Sequence, residues 1–180
     1  MKHSQSNHFD VLVIGGGHAG IEASIIASKM GLRVGLISMD INTIGRLSCN
    51  PSIGGSAKGH LAKEIDALGG AMPQIADASG IQFKMLNTSK GPAVWSPRSQ
   101  NDKDLYPLFA QHAVQSRPNL TVISETVTEI LVKGDRIRGV RTVSNQELLA
   151  SAVILCSGTF LNAVMWTGTE ATAGGRVGER

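Results

Sequence analysis

The sequence predicts an α/β fold: a Rossmann-like, dinucleotide-binding parallel sheet, with a small antiparallel β-meander and an inserted segment of helix and loop. Three observations predict it. Residues Phe9 to Gly20 form an apolar run that ends in Gly15-x-Gly17-x-x-Gly20. A helical pattern and a second apolar run follow at once, which makes a βαβ opening. From Leu120 the period changes to short runs divided by turn residues.

Taken in order, Val11 to Ile14 is short, β-branched and without alternation, as in a parallel strand buried on both faces. Gly15 permits the turn out of this strand, Gly17 lets a pyrophosphate approach the backbone, and Gly20 lets the next helix pack on the strand. That helix is expected from His18 to Met30, with Ile21, Ile25, Ala27 and Met30 on its buried face. Gly31 stops it, and Arg33 to Ile37 is the second strand. An adenine dinucleotide would then lie with its phosphates at the helix N-terminus. An Asp or Glu at the end of the second strand usually holds the ribose. Ser38 stands there instead, with Asp40 beyond it, so the motif alone leaves FAD and NAD both open.

Met39 to Ser56 is rich in Asn, Gly, Ser and Pro and is expected to be irregular. Ser56 to Leu68 predicts a helix with Leu61, Ile65 and Leu68 at helical spacing, ended by Gly69-Gly70. Ile81 to Leu86 predicts a strand and Asn87 to Pro97 a loop. Gln100 to Ser116 predicts a helix that Pro107 kinks or divides. Leu120 to Ile123, Val127 to Val132, Arg136 to Val143 and Glu147 to Ala150 predict strands of a meander. Ala152 to Cys156 returns to a buried-strand pattern and ends in Ser157-Gly158-Thr159. Flavoproteins with two dinucleotide domains share this element order. Phe160 to Arg180 is expected to be loop.

The chain has 180 residues, enough for one domain with a real core, so residues 1–180 are taken as one dinucleotide-binding domain. The hydrophobic share of 42% fits a folded, soluble chain, and no apolar run reaches membrane-spanning length. Met1 to His8 is polar, lacks the apolar stretch of a signal peptide, and is expected to be a frayed tail of a cytoplasmic protein. The formal charge of +3 permits a nucleic-acid partner without implying one, since no run of Lys or Arg is present. The two cysteines lack metal-ligand spacing, and no metal site is expected. Cys156, inside an apolar run, is expected to be a small buried hydrophobe.

Three stretches go further. They are Ser48-Cys49-Asn50-Pro51-Ser52-Ile53-Gly54-Gly55 running on to Lys58-Gly59-His60-Leu61; Glu64-Ile65-Asp66-Ala67-Leu68-Gly69-Gly70; and Gly80-Ile81-Gln82-Phe83 with Leu86-Asn87 and Lys90-Gly91-Pro92-Ala93-Val94. Together with Gly15-Gly16-Gly17-His18-Ala19-Gly20, they closely resemble the MnmG/GidA family from about Phe9 onward. Members are tRNA-modifying flavoenzymes that place carboxymethylaminomethyl or aminomethyl groups on C5 of the wobble uridine. The resemblance implies FAD as cofactor, NADH as its reductant, and methylenetetrahydrofolate as one-carbon donor. It also implies tRNA as substrate, a partner GTPase of the MnmE type, a homodimer, and no membrane.

By position, the resemblance implies that Gly15, Gly16, Gly17, His18, Ala19 and Gly20 hold the FAD pyrophosphate. Ser38, Asn50, Gly54 and Gly55 join them as cofactor-binding candidates, and Val127 meets the adenine through its backbone. Asn50 and Asn87 either meet the flavin ring or cap turns. Cys49 matches a family cysteine implicated in catalysis. A thiolate adding to uracil C6 makes C5 nucleophilic, and such a thiolate needs a helix N-terminus or a cation nearby; otherwise Cys49 only fills a loop. Lys58, Lys90 and Arg98 face either tRNA phosphates, the flavin, or solvent.

The chain departs from the family in two ways. It is several times shorter, and Trp166 takes about the place of a family histidine near Gly168. Activity is therefore expected of a longer protein, with this chain as its N-terminal FAD-binding part. The alternatives are a non-catalytic flavin-binding remnant and another FAD-dependent oxidoreductase.

Overall fold

A computed structural model describes residues 7–175. The frayed tail expected at Met1–His8 lies largely outside the described residues, as does the end of the Phe160–Arg180 tail; His8 itself already belongs to the first strand. A six-stranded sheet carries the fold, in the order β6-β2-β1-β9-β8-β7. Its parallel part is β6 (Leu120–Ser124), β2 (Val34–Ser38), β1 (His8–Ile14) and β9 (Glu147–Leu155), which pairs with β1 from Leu149 to Leu155. The start of β9, Glu147 to Leu149, pairs antiparallel with β8 (Arg136–Thr142), which pairs with β7 (Val127–Lys133). The two strands expected at Glu147–Ala150 and Ala152–Cys156 are thus one continuous strand. Ser151 has no turn chemistry strong enough to break it, and both halves find partners.

The alternate pleat faces of the sheet account for the two apolar clusters. Val11, Val13, Val34 and Leu36 pack under α1 (His18–Lys29) and α4 (Leu105–Gln115), against Ile21, Ile25, Tyr106, Ala110 and Val114. Leu12 and Ile37 turn the other way and meet Val140, Leu148 and Ala150 of the meander. Met30, expected on the buried face of α1, is 73% exposed. It follows the last helical turn, where Gly31 with φ +84° redirects the chain.

The inserted segment is more ordered than its composition predicts. The stretch expected to be irregular contains a short 3-10 turn at Ile41–Thr43 and β3 (Ser52–Gly54). β3, β5 (Ser96–Asn101) and β4 (Gly80–Leu86) form a second, antiparallel sheet in the order β3-β5-β4. The loop expected at Asn87–Pro97 holds two 3-10 turns, Thr88–Lys90 and Pro92–Val94. α2 runs Lys58–Ala67, shorter than expected, and buries only Gly59, whereas Leu61 and Leu68 are exposed. An unforeseen helix, α3 (Met72–Ser79), starts with proline in its first turn and buries Ile75, Ala76 and Ser79.

Gln100 and Asn101 belong to β5, so α4 begins at Leu105 rather than near Gln100. Pro107 then falls in the first turn, where its missing N–H has no intrahelical partner to lose, and the expected kink does not occur. The tail expected to be loop contains a hairpin of β10 (Val164–Thr167) and β11 (Glu170–Ala173). No helix among the described residues is long and apolar enough to cross a membrane.

Candidate functional site

The glycine loop closes the end of β1 just where strand order reverses. β2 lies on one side of β1 and β9 on the other, which leaves a crevice at the carboxyl ends of the parallel strands. A cleft of about 580 Å³ occupies that crevice. Gly15, Gly16 and Gly17 line it from the β1 turn, Ser38 and Asp40 from the end of β2, and Val127 from the start of β7. Cys156, Ser157 and Gly158 line it from the end of β9.

The three motif glycines answer to three surroundings. A Cβ on Gly20 would lie 1.8 Å from the Gly15 carbonyl oxygen, so only glycine lets α1 sit this close to the strand turn. A Cβ on Gly15 would lie 2.2 Å from the Cys156 carbonyl oxygen. A Cβ on Gly17 would meet nothing within 4 Å, because that position faces the open cleft. Gly17 is also the N-cap of α1, with no side-chain cap and no acidic residue in the first turn. The first N–H groups of α1 and its positive dipole end are thus directed at the cleft without a carboxylate of that turn competing. This cradle fits a dinucleotide pyrophosphate.

Ser38 is buried, and its hydroxyl donates to the Asp40 carbonyl oxygen at 3.0 Å. Its oxygen keeps acceptor capacity toward the cleft, but it brings no charge to a ribose. The Asp40 carboxylate accepts from the Asn42 backbone and side chain and caps the 3-10 turn. His18 and Ala19 do not line the cleft. The His18 ring lies 5.5 Å from that of Tyr106, on the α4 side of the helix. Its Nε2 is buried with no hydrogen-bond partner among the described residues. Burial pushes the imidazole pKa down, and the Glu22 charge opposes this.

Cys49 and Asn50 are exposed and lie outside the cleft lining, but Ser48 lines it. Cys49 therefore sits on the connection between the cleft and β3. β3 intervenes between Cys49 and α2, so the cysteine does not open a helix. The small sheet joins two motif stretches that are far apart in sequence. Gly54 stands opposite Arg98, and Arg98 opposite Lys84. The Arg98 guanidinium donates to Ser52 Oγ at 3.3 Å, and Asn87 Nδ2 donates to Ser56 Oγ at 3.1 Å. Gly54 and Gly55 have positive φ, and the Gly55 N–H donates to the Pro97 carbonyl oxygen. Neither lines the cleft. Lys58, Lys90 and Arg98 are all exposed.

Cys156 is half-buried, packs against the core on one side and meets the cleft on the other, and burial raises its thiol pKa. Sequence reasoning gave it only the packing role. Thr43, Arg46 and Ser48 were also missed as cleft residues. The signal available for them was their position after the β2 end, where ligands of such sheets bind. Among the described residues no group of His, Cys, Asp or Glu is placed to hold a metal ion.

A model of the glucose-inhibited division protein A family matches residues 10–180. The chain is 54% identical over 170 residues to the tRNA uridine 5-carboxymethylaminomethyl modification enzyme MnmG of Helicobacter pylori (strain Shi470), covering 94% of this chain and 27% of the relative. It is 49% identical over 173 residues to the MnmG of Aquifex aeolicus (strain VF5), covering 96% of this chain and 28% of that one. The crystal structure of Aquifex aeolicus GidA superposes with a TM-score of 0.91 at 49% identity, over 96% of this chain and 29% of that chain. The chain thus spans little more than a quarter of the length of these relatives. A GidA-related protein from Thermus thermophilus shares the fold at TM-score 0.66 and 20% identity, over 95% of this chain and 62% of that chain.

Proposed function

The chain belongs to the glucose-inhibited division protein A family, and from that membership we propose that it is the flavin-binding part of an enzyme that modifies C5 of the wobble uridine in tRNA. The observation that carries this reading is Gly17. It is the N-cap of α1, and a side chain there would enter the open cleft rather than the protein. The backbone N–H groups of α1 would hold the FAD pyrophosphate at this loop. Ser38 and Val127, both on the cleft wall, would hold the ribose and the adenine. When bound, the flavin supplies two-electron redox chemistry, with NADH as reductant and methylenetetrahydrofolate as carbon donor.

Cys49 is the nucleophile of this reading. Its thiolate adds to uracil C6, and the electron pair displaced onto C5 attacks an electrophilic methylene carbon, whose C=N pair passes to its nitrogen. Loss of the C5 proton to a base then expels the thiolate and restores the ring double bond. Its exposure suits a macromolecular substrate. Asn50, Gly54 and Gly55 shape the loop that presents it. The whole protein works in the cytoplasm as a homodimer with an MnmE-type GTPase, and residues 1–180 form one domain of it.

The test is the visible spectrum of the purified chain after incubation with FAD and gel filtration. A retained flavin band supports the reading. A folded chain that retains none overturns flavin binding by this chain. Cys49→Ser in the full-length protein is expected to keep the flavin band and abolish uridine modification.

A further inference from the structure

We infer that the open face of the small sheet grips the phosphates flanking the target base of an RNA, with Lys84 and Arg98 as the contacts; the inference rests on the tRNA-modifying reading. Lys84 on β4 stands directly opposite Arg98 on β5, so both side chains leave the same face of the sheet. Gln82 and Gln100 form the next pair along that face. Gly54 completes the Lys84–Arg98 row on β3 and adds no side chain to it. Gln82, Lys84 and Arg98 are exposed.

Like charges set directly opposite in an antiparallel pair destabilise it. The strands themselves offer no counter-charge. β3, β4, β5 and the 87–95 connection contain no Asp or Glu, and Lys90 adds a further cation. Among the described residues the Lys84 side chain has no ion pair or hydrogen bond, and the Arg98 guanidinium donates to Ser52 Oγ at 3.3 Å without a carboxylate partner. That bond draws the guanidinium toward β3 and leaves it further N–H donors.

The paired cations call for an anion, and their position says which. Ser52, the partner of Arg98, follows Cys49 by three residues, so its backbone lies within about 11 Å of that cysteine. Cys49 is the group that meets the uracil to be modified. A polynucleotide bound there places a phosphate on each side of that base, and an ammonium beside a guanidinium suits those phosphates. The amide donors of Gln82 and Gln100 suit the sugar and phosphate oxygens of the same strand.

The experiment uses the full-length protein and a labelled RNA anticodon stem-loop with an unmodified wobble uridine. It reads the dissociation constant against salt concentration, and the thermal midpoint without RNA. Lys84→Gln and Arg98→Gln are each expected to weaken binding several-fold at low salt. Each is also expected to lower the slope of log affinity against log salt by about 0.7 to 0.9. Arg98→Lys is expected to keep the parent's slope. Lys133→Gln, on β7 of the six-stranded sheet, is expected to keep it too. Lys84→Gln is expected to leave the midpoint equal or higher, because it removes a repulsion. An unchanged slope in both Gln variants overturns the inference alone, as does an equal fall in Lys133→Gln or a lowered midpoint in Lys84→Gln. Unchanged RNA binding with weakened NADH binding also overturns it and assigns the face to a dinucleotide. Failure of the parent to bind the RNA overturns the tRNA reading and this inference with it.

Discussion

The carboxylate of Glu22 on α1 accepts the backbone N–H of Ala71 at 3.0 Å. It also accepts that of Met72, and so caps α3 from a neighbouring helix. α3 has no side-chain cap of its own. Gly70 makes room for this contact, since a Cβ there would lie 2.7 Å from Glu22 Oε2 and 2.2 Å from Ile65 Cγ2. Glu22→Ala leaves two N–H groups without that acceptor and is expected to cost about 1–3 kcal/mol. Urea denaturation measures it. A loss no larger than that of a surface Glu→Ala control sinks the capping role.

Gly17 and Gly20 separate binding from folding. Gly17 has φ −74°, ordinary for any residue, and faces the cleft. Gly17→Ala is expected to keep stability within about 0.5 kcal/mol of the parent while losing most of the FAD affinity. Gly20→Ala drives a methyl into the Gly15 carbonyl and is expected to cost more than about 3 kcal/mol or to prevent folding. Paired thermal melts and flavin titrations decide; similar behaviour of the two variants counts against the assigned roles.

His18 gives stability a pH dependence of known sign. Burial holds its folded pKa below the ordinary 6.5, with Glu22 opposing. Its contribution is fully present above that value and is lost as pH falls below it, because the unfolded chain takes up the proton first. Asp10 and Asp102 have pKa values below 3.8, lowered by hydrogen bonds from Arg33 and from the Leu105 and Asp104 backbones respectively, so they act in a more acidic range. His18→Gln is expected to flatten the loss of stability between about pH 7 and pH 5. Urea midpoints across that range test it, and an unchanged slope refutes it.

Ala57 is strained. Its φ of 63° and ψ of −50° place it at the centre of a γ-turn, in which the Lys58 N–H donates to the Ser56 carbonyl oxygen at 2.8 Å. Such a turn disfavours a residue with Cβ. Ala57→Gly is expected to raise stability by about 1 kcal/mol, against the usual cost of adding glycine. A neutral or negative effect in denaturation shows that the turn carries no strain.

Where the sequence spoke clearly, one physical signal sufficed. The run Val11–Ile14 has no polar face to offer solvent, so it had to be a buried strand, and the spacing of Gly15, Gly17 and Gly20 implied both the turn and the close helix. The meander was visible because Lys133-Gly134-Asp135 and Ser144-Asn145 sit between alternating runs. Helical spacing misled at Leu61 and Leu68, which are exposed: periodicity says which residues share a face, not whether anything covers it. α3 was hidden because its cap comes from Glu22, some fifty residues back in the chain.

The same division holds for the function. The amino-acid sequence by itself determined the βαβ opening, the glycine-rich turn and the family resemblance, because each depends on residues that are neighbours in the chain. Only the tertiary structure decided that Arg46 and Cys156 border the cleft while His18 turns away toward Tyr106. It alone joined the Cys49–Gly55 stretch to the Gly80–Val94 stretch through one sheet. Those relations depend on packing between distant segments, and local spacing carries no record of which face of a turn or helix the rest of the chain will cover.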